Sequence, residues 1–126
     1  MHTEDIRPED TSDPYVILRV YINEADKVES GAHHGKPLWE ALFNDFKARG
    51  LAGATVIRAI AGYGVAAKRH SMLSEYLALA LPIVIEVVDR ESAVRAVLPD
   101  LDEMIGAGLV TIEKVEVVIY RVEGKS

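Results

Sequence analysis

The sequence predicts an α+β fold: a four-stranded antiparallel sheet with two helices on one face. Three observations predict it. Four runs rich in β-branched and aromatic residues read as strands: YVILRVYIN, ATVIRAIA, LPIVIEVVD and the stretch from Leu109 to Val122. Two segments between these runs repeat apolar residues at helical spacing. The resulting order is β-α-β-β-α-β, the ferredoxin-like or split βαβ pattern.

Each element has its own justification. Residues 1–14 hold six charges, two prolines and a single large aliphatic side chain, Ile6, and are expected to be a disordered acidic tail. One domain then spans residues 15–122, and 123–126 are a short second tail. Residues 15–23 form the first strand, and the polar stretch 24–36 is a loop. Pro37 opens the first helix, where its missing N–H costs nothing. Leu38, Leu42 and Phe46 line one face of that helix, and Gly50 ends it. Residues 54–61 form the second strand, which runs into Gly62-Tyr63-Gly64 and a basic stretch, Lys68-Arg69-His70. The third strand covers 81–89, with Pro82 among its first residues, where a lost ladder donor costs least. Residues 91–105 are helical, with Val94, Val97, Leu98, Leu101, Met104 and Ile105 as the apolar stripe. Pro99 must kink or restart that helix, and Gly106 and Gly108 end it. The last strand runs over 109–122.

Each strand carries a charge inside its apolar run: Arg19, Arg58, Glu86 and Glu116. Alternation puts Val16, Leu18, Val20 and Ile22 opposite Arg19, Ile83, Ile85 and Val87 opposite Glu86, and Val115, Val117 and Ile119 opposite Glu116. The apolar sets face the helices and the charges the open side. In a 4-1-3-2 strand order the charges alternate as Glu116, Arg19, Glu86, Arg58, each neighbouring pair favourable. Their companions on that side, Ile17, Tyr21, Val56, Ile60, Val84, Val88, Val118 and Tyr120, are apolar or aromatic. So large an apolar face is expected to be covered by other copies of the chain. The apolar phase slips near Glu113-Lys114, which signals either a bulge or a late strand start.

Composition excludes several function classes. The chain has 126 residues, with 14 Lys+Arg against 20 Asp+Glu, a net charge of −6. This argues against nucleic acid and anionic membranes as partners. It has no cysteine, so disulfides, zinc–cysteine sites and thiol catalysis are excluded. No apolar run reaches the roughly 18–20 residues of a membrane span, and the start lacks an apolar signal core. A cytoplasmic protein is expected.

The motifs are weaker. Gly31-Ala32-His33-His34-Gly35-Lys36-Pro37 is one residue short of a phosphate-binding P-loop, and Pro37 replaces its Ser/Thr. Lys36 remains either an anion contact at a helix start or a solvated lysine. Gly62-Tyr63-Gly64-Val65-Ala66-Ala67 matches G-x-G-x-x-A, and Asp89 follows Gly64 by 25 residues. As a dinucleotide fingerprint this would need a crossover helix over 65–80 between parallel strands. The glycines serve equally as hinges of a loop. Arg69 and His70, with Lys68, either hold phosphate or are ordinary exposed loop residues. His33, His34 and His70 could bind a metal, but their spacing does not single one out. No catalytic triad or paired carboxylate is distinguishable, and no enzyme is expected.

The strings YVILRVYINEADK, GKPLWEALF, ARGLAGATVIRAIAGYG, LPIVIEVVD and LPDLDEMIGAGLVTIEKVEVVIY resemble the DUF190 family of PII-like proteins, over residues 15–120. That family looks like PII signalling proteins and the CutA proteins, ferredoxin-like homotrimers whose sheets line a central core. The resemblance implies a sensor that binds an adenine nucleotide (ATP, ADP or AMP) or another phosphorylated small molecule between subunits, with no cofactor required. By this analogy loop 62–73 is the switch and the turn 106–108 part of the cleft. Lys36, Arg58, Arg69 and His70 are the candidate ligand contacts, with Gly62 and Gly64 as hinges. Arg58 has the competing task of pairing with Glu86. The implied partner is a protein such as a membrane transporter. The loop is shorter than in PII proteins, and their phosphate turn is reduced here to Gly-Ala-Gly. A metal-binding trimer of CutA type and a cleft enzyme are the alternatives.

Overall fold

The computed structural model describes residues 12–64 and 81–123. Arg69, His70 and most of loop 62–73 lie outside the described residues. Within them the chain forms β1 (Tyr15–Asn23), α1 (Leu38–Ala48), β2 (Thr55–Arg58), β3 (Pro82–Arg90), α2 (Glu91–Ala96), α3 (Leu98–Met104) and β4 (Leu109–Lys114). The sheet is antiparallel throughout, in the order β2-β3-β1-β4. This is the expected α+β, ferredoxin-like arrangement.

Alternation along β1 builds the core. Val16, Leu18, Val20 and Ile22 are all within 1% of full burial. Opposite them on β3 stand Val87, Ile85 and Ile83, also buried. Leu38, Leu42 and Phe46 of α1 close over this surface, as do Val94, Val97, Leu101 and Met104 of the second helical region. Burying such aliphatic side chains contributes roughly 1.5–3 kcal/mol each before conformational entropy is charged. Val28, in the polar loop after β1, is equally buried; no periodicity surrounds it to reveal this.

The helix ends follow local chemistry. Pro37 is the N-cap of α1, with φ −56° and ψ 125°. At the other end Gly50 takes φ +83°, which a Cβ would oppose. Gly50 N–H donates to Lys47 O at 3.1 Å and Leu51 N–H to Phe46 O at 3.2 Å, a Schellman closure. Pro99 restarts the second helix: α2 ends at Ala96, Val97 is the break, and Pro99 sits in the first turn of α3. There its absent N–H removes no hydrogen bond. Asp13 and Pro14 are tied to the folded body. Asp13 accepts from Ser92 N–H at 3.0 Å and from Ser92 Oγ–H at 2.6 Å, and Pro14 O accepts from Glu91 N–H. The bonds from Ser92 hold the Asp13 carboxyl below its ordinary pKa.

Three expectations about the open side are corrected. Arg58 does not share a face with Glu86: it stands opposite Ile83, while Thr55 stands opposite Glu86. Val56, opposite Ile85, likewise turns toward the helices and packs on the core. Both parities of β2 are apolar, so sequence alternation could not choose between them. Glu116 is not the charge beside Arg19. Arg19 instead bonds Glu86 at 3.1 Å and Glu113 at 3.0 Å. The phase slip at Glu113-Lys114 is neither a bulge nor a late start. β4 starts at Leu109 and its ladder with β1 stops at Lys114. Val115 N–H still reaches Tyr15 O. The segment beyond has its own phase because no ladder constrains it.

Candidate functional site

β1 and β2 end, and β3 and β4 begin, at one end of the sheet. The turn of β1 is set by Asn23, whose buried Oδ1 accepts from Ala25 N–H at 2.9 Å. Loop 24–37 then folds back as an ordered unit. Leu38 N–H donates to Asp26 O, Val28 N–H to Lys36 O, and Glu29 N–H to Met104 O, each at 2.8–2.9 Å. The loop thus joins the start of α1 to the end of α3. Candidate ligand residues collect at this end, but in three separate places.

The first lies at the β2 edge. Arg58 Nε donates to Glu24 Oε1 at 3.1 Å, and Glu24 N–H donates to Leu81 O. Glu24 escaped the sequence reading because nothing marks it off from other loop acids. Gly62 lies against the Pro82 ring, where an added Cβ would come within 2.8 Å of Cγ. Gly64 adopts φ +117°. One glycine is therefore required by close approach and the other by backbone conformation. Here the chain leaves the described residues toward Arg69 and His70.

The second lies between loop 24–37 and the turn that leads into β4. A cavity of about 330 Å³ is lined by Asp26, Lys27, Val28, Glu29, His34 and the turn residues Gly106 and Ala107, among others. The third is a groove of about 450 Å³ along α1, where Lys36 lies with His33, Glu40, Asn44 and Asp45. Lys36 and Arg58 are thus not neighbours in one pocket. His33 and His34 line different cavities, and no metal-ligating cluster occurs among the described residues.

The topology separates the first two places. β2 and β4 are opposite edges of the sheet, three strand spacings or about 14 Å apart. Within one chain Arg58 and the Gly106–Gly108 turn therefore belong to opposite sides of the sheet, although Gly62 stands against Pro82 of β3 and Gly108 against Tyr21 and Ile22 of β1. Antiparallel pairing of β2 with β3 also rules out the crossover that a dinucleotide fingerprint at Gly62-Tyr63-Gly64 would require.

A family model, DUF190 (uncharacterized ACR), matches residues 15–117. The chain belongs to the DUF190 family. A UPF0166 protein of Aquifex aeolicus is 38% identical over 104 residues, covering 81% of this chain and 91% of the relative. A UPF0166 protein of Methanocaldococcus jannaschii is 37% identical over 97 residues, covering 76% and 84%. The matched region of the DUF190 chain takes in every strand and helix described above, both glycines of the Gly62 corner and the turn before β4. No helix among the described residues is long and apolar enough to cross a membrane.

Proposed function

We propose that this DUF190 protein is a PII-like sensor. It binds an adenine nucleotide or another phosphorylated small molecule in clefts between the subunits of a homotrimer. The ligand sets the conformation of loop 62–73, which in turn governs docking, in the cytoplasm, to a protein partner such as a transporter. The protein acts by binding and not by catalysis. One observation supports this reading: Arg58 and the chain leading to the hinge glycines leave from the edge strand β2, while the Gly106–Gly108 turn leads into the other edge strand, β4. A cleft between subunits forms where the β2 edge of one copy stands beside the β4 edge of the next. The exposed Ile57, Val88 and Leu109 on the open side supply apolar surface for such an assembly. Arg69 and His70 then bring cations to the loop of an otherwise acidic chain.

The test is a thermal-shift panel of AMP, ADP, ATP, cyclic nucleotides, NAD and divalent metals on wild type and Arg69→Ala, with sedimentation velocity on the same samples. A true ligand at a hundredfold excess over its Kd stabilises by about 2.7 kcal/mol. The expected result is a trimer whose melting temperature rises with a nucleotide, less so in Arg69→Ala. A monomer, or a shift with metals alone, would overturn the reading.

A further inference from the structure

We propose that Asp45 and Asp100 form a proton-operated clasp between α1 and α3. When the two carboxyls share one proton they join the helices. When that proton leaves they repel, and the α1–α3 contact loosens together with loop 24–37 beside it.

The geometry is that of an acid without a donor. The Asp45 carboxyl of α1 meets that of Asp100 on α3, and its Oδ2 is buried with no hydrogen-bond partner. A buried unsatisfied acceptor is costly unless a proton fills the gap. The nearest cation is already committed: Arg49 spans to Asp100 with a planar fork, Nε to Oδ2 and Nη2 to Oδ1, both at 2.8 Å. That fork makes Asp100 the acceptor of the pair and leaves Asp45 to carry the proton.

The charged groups around Asp45 come from every element packed there. Desolvation, then the hydrogen bond and charge of Asp100, push the Asp45 carboxyl up from 3.8 to about 6; Arg49 and, from the loop, His33 oppose the shift. Lys36 and Glu40 line the same groove. Loop 24–37 is fastened to the other end of α3 by Ser30 Oγ–H to Glu103 O at 2.8 Å and by Glu29 N–H to Met104 O. A change in the α1–α3 contact therefore reaches the loop that lines the cavity beside the Gly106–Ala107 turn.

A carboxyl whose folded pKa is raised stabilises the fold fully below its unfolded value, and that contribution is lost as pH rises through the folded value. The window here runs from about pH 4 to just above pH 6. The experiment follows the melting temperature of wild type and Asp45→Asn from pH 4 to 8. Carbon-13 NMR titration of the Asp45 carboxyl is run on wild type and Asp100→Asn. The side-chain amide introduced by Asp45→Asn offers a permanent donor to Asp100. That variant should gain on wild type as pH rises from about 4 to 6 and keep the gain above that. The wild-type titration midpoint should lie near 6 and fall toward 3.8 in Asp100→Asn. A difference between the melting curves that does not change with pH would overturn the clasp. So would an Asp45 midpoint near 3.8 in wild type, or one unmoved by Asp100→Asn. Should Asp45→Asn fail to fold, the wild-type titration alone decides.

Discussion

β3 and β4 are both antiparallel neighbours of β1, yet they are held in different ways. β3 pairs with all nine residues of β1, from Tyr15↔Arg90 to Asn23↔Pro82. Its Ile83, Ile85 and Val87 are buried beneath the helices. β4 pairs only from Val16 to Tyr21, and none of its residues is fully buried. Beyond Lys114 the chain continues outside the ladder. There Val117, Ile119 and Tyr120 share a cavity of about 280 Å³ with Tyr15, Ala52, Gly53, Val88 and Asp89. Part of the cover over the open side thus comes from the chain's own C-terminal segment, while Val118 and Ile119 remain exposed. A strand gains its face assignment from a paired, half-buried ladder. An apolar sequence without one keeps both faces available.

The contrast can be broken most directly by core truncation. Ile85→Ala on β3 removes a fully buried side chain and should cost about 3 kcal/mol in urea unfolding. Ile112→Ala on β4, where the side chain only packs partly against the core, should cost less than half as much. Equal losses would mean that the two strands are held alike. Smaller, and aimed at the exposed end, is Val118→Asp. The folded chain should be retained by circular dichroism, while self-association weakens about tenfold or more. Undiminished association in sedimentation velocity would remove residues 115–123 from the interface. The finest test uses double-mutant cycles at Arg19. Its coupling to Glu86 should exceed its coupling to Glu113 and resist salt better, because Glu86 is 33% exposed and Glu113 is 66% exposed. The reverse order would place the electrostatic weight of the open side on β4.

How much of the candidate site was legible differs residue by residue. Gly62 and Gly64 stood out in a strand-to-loop junction, and the structure gives each a steric reason. Lys36 was visible as a cation at a helix start, but its separation from Arg58 was not, because that depends on which side of α1 the loop delivers it. Asp45 and Asp100 look in the sequence like two ordinary helix-surface acids, 55 residues apart. Only the packing of α1 against α3, with Arg49 claimed by Asp100, makes a pair of them.

The sequence by itself determined the element order, the apolar stripe of each helix, the restart at Pro99 and the buried faces of β1 and β3. These follow from local periodicity, from proline's missing N–H and from strands flanked on both sides. The tertiary structure decided the face of Arg58, the replacement of Glu116 by Glu113 and the end of β4. It also decided the burial of Val28 and the separation of Lys36, in a groove along α1, from Arg58 at the β2 edge. Those outcomes depend on register and on which edge finds a partner, and both are set by contacts between residues far apart in the chain.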